Sequence, residues 1–260
     1  TNHAHKTQID IHAAPSDRKR FVDGWFDSSM PDLHPMSESL GNYLVQNAVW
    51  WIEYAGLTGL RIDTYPYTDK NYTAEYCRRV LREFPHLNIV GEEAPGNSDP
   101  VIISYWQAGR ANRDGYVSTL PTLMDFPLRD AMLSALNHPG DGYAGLRQIY
   151  ELLADDVIYA DPMRLLVLAD NHDTDRLYKL VNHDDAAFRM AMAFVATVRG
   201  IPQLTYGTEF AWSNEAPGDG AKRLDFPGGF AGDKVNAFSG EGLDAHARDR
   251  MEYLRRLFQF

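Results

Sequence analysis

From residue 40 onward the chain alternates two textures. Short apolar runs end in acids or histidine, and each is followed by a stretch whose apolar residues recur every three or four positions. The first such stretch, YLVQNAVWWIEYAG (43–56), sets Leu44, Ala48, Trp51, Ile52 and Ala55 at helical spacing and stops at Gly56. LTGLRIDTY (57–65) then predicts a short buried strand. NYTAEYCRRVLREF (71–84) predicts a helix halted by Pro85, and HLNIVGEEA (86–94) a second strand. Residues 98–112 read as helix or loop, GYVSTLPTLMDF (115–126) as a weaker strand broken by Pro121, and 127–137 as helix. The alternation continues through RLLVLADNHD (164–173), DAAFRMAMAFVATVRG (185–200) and IPQLTYGTEF (201–210). A Gly-rich loop (214–233) leads to a closing amphipathic helix, LDAHARDRMEYLRRLFQF (243–260). Residues 1–36 carry no clear period and read as irregular.

Strands alternating with helices of a dozen residues imply βαβ crossovers and a parallel sheet. No G-x-G-x-x-G turn joins a strand to a helix, so a dinucleotide-binding sheet is not indicated. A (β/α)8 barrel needs eight strands in about 250 residues, whereas residues 57–260 supply five. The chain begins with Thr rather than Met. The expectation is therefore an α/β chain forming the larger part of a TIM barrel, with earlier strands lying upstream of Thr1.

The chemistry lies at the strand ends. Asp63 closes GLRID, Glu92 and Glu93 close NIVGEE, and Asp173 follows LLVLADNH. In parallel βα folds the strand C-termini open on one side, which would bring these acids to one mouth and partly desolvate each of them. Arg61 lies two residues before Asp63, on the same face by the strand's period, and would hold that acid by a charge-assisted hydrogen bond. An Asp at a strand end also commonly caps the next helix. Three strands that each end in an acid, two with an accompanying Arg or His, favour a shared site. Two or three carboxylates with a hydrogen-bonding His, and neither a Ser–His nucleophile pattern nor a metal-type His cluster, suit glycoside hydrolysis.

Composition narrows the partner. A formal net charge of −11 and the lack of any basic run argue against nucleic acid or an anionic membrane. No apolar run approaches the length that spans a bilayer. The fourteen Tyr and five Trp suit a neutral ligand with flat apolar faces, although most of these aromatics are expected to fill the core. Cys77, the one cysteine, sits on the apolar side of its helix and reads as a small buried hydrophobe.

At these same residues the chain resembles the α-amylase superfamily of retaining glycosidases. GLRIDTYPY is similar to the family's fourth-strand motif, IVGEEA to the fifth, LADNHD to the seventh and GIPQLTYGTE to the eighth, while MPDLH (30–34) resembles the short motif preceding strand four. The resemblance implies strands four to eight of the barrel with their helices in residues 41–260, and a remnant of the inserted segment before strand four in residues 1–40. It implies Asp63 as nucleophile, Glu92 as acid/base in preference to its neighbour Glu93, and Asp173 as stabiliser. Arg61, Asn171, His172 and Tyr67 would contact the sugar, and Asp219 and Arg223 would grip the next one.

The wording MPDL, WWIEYAG and DTYPY looks most like the bacterial neopullulanase and cyclomaltodextrinase branch. Pro66-Tyr67 replaces the Lys-His pair that follows the nucleophile in many amylases, and His34 stands where that branch often has Asn. TNH (1–3) ends like the third-strand motif Asp-x-x-x-Asn-His, but only about 60 residues separate it from Asp63, and a chance match within the insert is the favoured reading over Asn2 and His3 as that motif. Calcium occurs in the superfamily, but its usual ligands lie upstream of this segment, so no cofactor or metal is assigned.

The expected activity is retaining hydrolysis of α-1,4-glucans, with the Asp63 and Glu92 carboxyls roughly 5–5.5 Å apart. Maltodextrins, cyclodextrins, pullulan and starch all remain candidate substrates. The alternatives are a catalytically silent barrel fragment or maltooligosaccharide-binding module, and an α-glucan transglycosylase using the same residues. Five barrel strands leave two open edges, which a homo-oligomer or the N-terminal part of the same protein would cover. The resemblance to a bacterial branch implies a protein of the periplasm or cytoplasm, and the sequence does not choose between them.

Overall fold

The structure, a computed structural model, describes residues 5–93, 99–138, 140 and 145–259. Asn2 and His3 lie outside the described residues. In chain order, helices α1 (Pro15–Val22) and α2 (Glu38–Ala55) precede strand β1 (Gly59–Ile62). Then come α3 (Lys70–Glu83), β2 (Asn88–Gly91), α4 (Pro100–Trp106), β3 (Thr122–Leu123), α5 (Phe126–Asn137) and α6 (Leu146–Ala154). They are followed by β4 (Leu166–Leu168), α7 (Leu177–Leu180), α8 (Asp185–Thr197), β5 (Ile201–Gln203), α9 (Asp219–Lys222) and α10 (Ala245–Leu257). Each strand falls inside a segment where the hydrophobic pattern predicts one. Helix α1 corrects the reading of the leading segment as irregular. Pro15 opens it and charged residues fill it, so Phe21 is its one buried residue and no apolar period shows.

The chain divides into two compact units, and the division does not fall at residue 40. The first comprises Thr1–Asp125 and Asp155–Leu166. Its parallel sheet has the order β1-β2-β3, with Arg61 opposite Val90 and Gly91 opposite Leu123, and Met124 forms a parallel bridge to Leu166. Its core is built from Val45, Ala48 and Ile52 of α2, Cys77 and Val80 of α3, Ile102, Ile103 and Trp106 of α4, and Ile89 and Leu123 of the sheet. Cys77 is fully buried and unpaired, and burial pushes its thiol up to about 12. That is the inert packing role its helical position predicts.

The expectation of a buried first strand is overturned. Among the described residues strand β1 forms the sheet edge, with Gly59 and Arg61 exposed and Leu60 and Ile62 partly covered. An apolar run cannot report which of its sides lacks a neighbour.

The second unit comprises Phe126–Ala154 and Val167–Phe260. Strands β4 and β5 pair, and the core gathers Leu128 and Met132 of α5, Ile149 of α6, Val167 of β4, Phe188, Ala191, Met192 and Val195 of α8, and Leu254 of α10. Strand β5 leaves Ile201 and Pro202 exposed. Among the described residues no helix is long and apolar enough to cross a membrane.

Candidate active site

In the first unit, the parallel register that pairs β1 with β2 continues one step beyond the strands. The Glu92 amide donates to the Ile62 carbonyl (2.9 Å) and the Tyr65 amide to the Glu92 carbonyl (3.0 Å). This sets Glu92 beside the end of β1. Gly91 is required there, because a Cβ at that position would lie 2.5 Å from Leu120 Cδ2 and 3.1 Å from Tyr65 Cγ. Arg61 reaches both acids: its Nη1 lies 2.7 Å from Asp63 Oδ1 and its Nη2 lies 2.9 Å from Glu92 Oε1. The period-two expectation for Arg61 and Asp63 is met, and the same guanidinium also engages Glu92.

The two carboxyls sit in opposite surroundings. The Asp63 side chain is 67% exposed and that of Glu92 only 3%. Partial desolvation of each acid was the expectation, and for Asp63 it fails, because its strand is the sheet edge. Burial raises the Glu92 carboxyl above the usual glutamate range. The Thr64 amide and Arg61 pull it back in part, and the neighbouring Asp63 adds to the rise. The Thr64 amide reaches Glu92 Oε2 at 3.1 Å because Thr64 adopts a left-handed conformation, φ +44°. For a β-branched residue that backbone costs about 1–3 kcal/mol.

Tyr67 stacks on Phe21 of α1 (centroids 4.9 Å apart) and meets Phe26 edge-on at 5.2 Å. Its phenol is raised by burial and then by the charges of Glu93 and Glu92. Glu93 is fully buried. Beside Asp63 lies a cavity of about 470 Å³, whose lining includes Asp32 and Leu33 of the MPDLH segment, Asn47, Arg61, Tyr72 and Tyr76.

In the second unit, β4 ends in a run of buried polar residues. Asn171 is 1% exposed, and its Oδ1 accepts from the amides of Asp173 (2.9 Å) and Thr174 (3.0 Å). The Asn171 side chain thus builds the turn that presents Asp173. His172 Nε2 lies 3.1 Å from Asp173 Oδ2, and Arg223 Nη2 contacts Asp173 Oδ1. Arg223 Nε also donates to the His172 carbonyl (3.1 Å), and Lys222 Nζ donates to the Asp173 carbonyl (2.9 Å). Asp219 is not paired with Arg223. It lies 3.2 Å from Lys222 one helical turn along α9, with its side chain 73% exposed. Among the described residues no group of three His, Cys, Asp or Glu is placed to hold a metal ion.

Residues 13–251 match the model of the α-amylase catalytic domain. The chain belongs to that family. Its fold class is therefore that of the (β/α)8 barrel. The α-amylase-family chain is 25% identical over 215 residues to the intracellular maltogenic amylase of Bacillus subtilis strain 168, covering 81% of this chain and 34% of the relative. It is 25% identical over 195 residues to a cyclomaltodextrinase of a Bacillus species, covering 71% of this chain and 30% of the relative. It thus spans about a third of the length of these curated relatives. Its structure is similar to that of the α-amylase of Geobacillus thermoleovorans complexed with acarbose. The TM-score is 0.70 at 25% identity, over 94% of this chain and 50% of that one.

Three contributors escaped the sequence reading. The left-handed Thr64 carries no sequence signal. Lys222 bonds the Asp173 carbonyl across 49 positions, a contact that its nearby partner Asp219 does not announce. Arg176, 2% exposed, does carry a signal, because a buried Arg six residues after a buried Asp invites an ion pair.

Proposed function

We propose that this chain is the catalytic part of a retaining glycosidase acting on α-1,4-glucans by double displacement. Asp63 is the nucleophile, Glu92 the general acid and base, and Asp173 with His172 the stabiliser of the oxocarbenium-like transition state. The observation that carries this reading is one guanidinium, Arg61, bridging an exposed carboxylate and a buried carboxyl raised by desolvation. Retaining chemistry needs two such acids of opposite character on one bond.

In the first step an Asp63 oxygen forms a bond to the anomeric carbon while the bond to the glucosidic oxygen breaks. The Glu92 proton passes to that leaving oxygen. In the second step Glu92, now a carboxylate, takes a proton from water as the water oxygen attacks the same carbon and releases Asp63. Arg61 holds the Asp63 carboxylate during attack, and the Thr64 amide supports Glu92 as a carboxylate between the two steps. The cavity beside Asp63 has room for a sugar ring, with Tyr72 and Tyr76 as apolar faces.

The similarity to a maltogenic amylase and a cyclomaltodextrinase supports an α-glucan substrate, and we place the chain in the cyclomaltodextrinase and neopullulanase branch. The exposed edges β1 and β5 favour a second reading, a chain that binds maltooligosaccharide and turns it over only when a partner copy or a further part of the protein covers those edges. Incubating the chain with maltoheptaose, β-cyclodextrin and pullulan separates the two. Hydrolysis products that vanish in Asp63→Ala support the glycosidase, and saturable binding without products supports the second reading.

A further inference from the structure

In the second unit a buried ion pair brackets Asp173, its acid three residues before and its arginine three residues after. Arg176 and Asp170 each have side chains only 2% exposed, with Arg176 Nε 3.6 Å from Asp170 Oδ2. Asp170 accepts from the Leu177 amide (2.7 Å) and from Thr208 Oγ1 (3.1 and 3.2 Å), and its carbonyl accepts from Thr205 Oγ1 (2.9 Å). Arg176 Nη2 donates to the Tyr206 carbonyl and to Thr208 Oγ1 (3.3 Å), and the guanidinium lies 5.5 Å from the Tyr206 ring centre and 5.9 Å from that of Trp212. The Arg176 amide donates to Asn214 Oδ1 (2.8 Å). Gly207, φ +85°, makes room for this packing, because a Cβ there would lie 2.3 Å from Trp212 Cε3 and 3.2 Å from Arg176 Nη2.

We propose that Arg176 is a positioning residue: its guanidinium ties the end of β4 to the turn after β5 and so fixes where the Asn171–Asp173 turn presents its acid. This rests on Asp173 being the stabiliser of the proposed reaction. Stability alone explains the pair poorly. Two buried charges are expensive to desolvate, and a well-packed apolar pair often does as well. Arg176 Nε and Nη1 are buried without a hydrogen bond, which adds to that expense. What the arrangement does provide is orientation, because Arg176 and Asp170 together reach the backbone or side chains of Thr205, Tyr206 and Thr208 from the one strand end that carries Asp173.

The test is amide hydrogen exchange on the purified chain, with thermal unfolding and maltoheptaose kinetics, for wild type, Arg176→Met, Arg176→Lys and Thr208→Val. Arg176→Met is expected to speed exchange at the amides of Asp173, Thr174, Leu177 and Thr208 by about tenfold or more, with the amides of α8 and α10 near wild-type rates. Arg176→Lys should restore part of that protection. Turnover should fall through kcat with KM held within about threefold. If Arg176→Met does not fold, Thr208→Val, which removes one strut, carries the same local expectation. Uniform acceleration across α8 and α10, or unchanged rates at the four named amides, overturns the proposal. A wild type without turnover overturns the glycosidase reading alone, since the exchange arm still decides the positioning role.

Discussion

In the first unit a buried carboxyl and an exposed carboxylate share the two ends of one guanidinium. In the second, the Asp173 carboxyl meets Arg223 and His172 while Lys222 holds its backbone carbonyl. Burial raises the Glu92 carboxyl, whereas the partly exposed Asp173 carboxyl is held by direct contacts with Arg223 and His172. Desolvation prepares a group to carry and deliver a proton. A guanidinium and an imidazole on its two oxygens fix the Asp173 carboxyl in place.

The largest effect that would break this contrast is at Asp63. Asp63→Ala should lower maltoheptaose turnover by roughly 10⁴-fold or more, with an unchanged unfolding temperature because the side chain is exposed. Next, Glu92→Gln should cost about 10²–10³-fold in turnover. The same substitution sharpens the contrast through stability. Glu92 keeps its proton to higher pH in the folded chain than in the unfolded one, so the native state binds more protons in that window. Stability is then full below the ordinary glutamate value and falls as pH rises through the raised one. Unfolding curves at several pH values should show that fall in wild type and its loss in Glu92→Gln.

Arg61→Met should reduce kcat/KM by about tenfold. It should also move the basic limb of the pH profile upward, since Arg61 lowers the Glu92 carboxyl. A downward movement would contradict the bridging role. The smallest effect is expected at Arg223. Arg223→Gln should change KM by about threefold and weaken its salt dependence, as for a partly exposed ion pair.

What was legible in the sequence followed from short-range regularities. The five strands announced themselves as apolar runs, and Arg61 next to Asp63 followed from a period of two. The preference for Glu92 over Glu93 rests on the resemblance to the family's fifth-strand motif, and the close approach of Leu120 and Tyr65 gives the glycine before Glu92 a steric reason. Long-range pairings were not legible. Arg223 reaches Asp173 across 50 positions, and no local pattern reports such a contact. The turn of α9 brings Lys222 to Asp219 and leaves Arg223 for the end of β4, and the Arg223 contact does not follow from the spacing of these residues. The exposure of β1 was hidden for a related reason, because strand neighbours are a property of the sheet. Helix α1 was hidden by its charges, although Phe21 at its end stacks on Tyr67 beside the acids.

The central claim is that Asp63 attacks the sugar directly while Glu92 manages the proton. The most direct measurement is peptide mapping by mass spectrometry after reaction with a fluorinated maltosyl fluoride, whose covalent glycosyl-enzyme forms faster than it hydrolyses. The account predicts one maltosyl adduct, on Asp63, formed in wild type and missing in Asp63→Ala. An adduct on another carboxylate, or hydrolysis of maltoheptaose by Asp63→Ala at the wild-type rate, would contradict it.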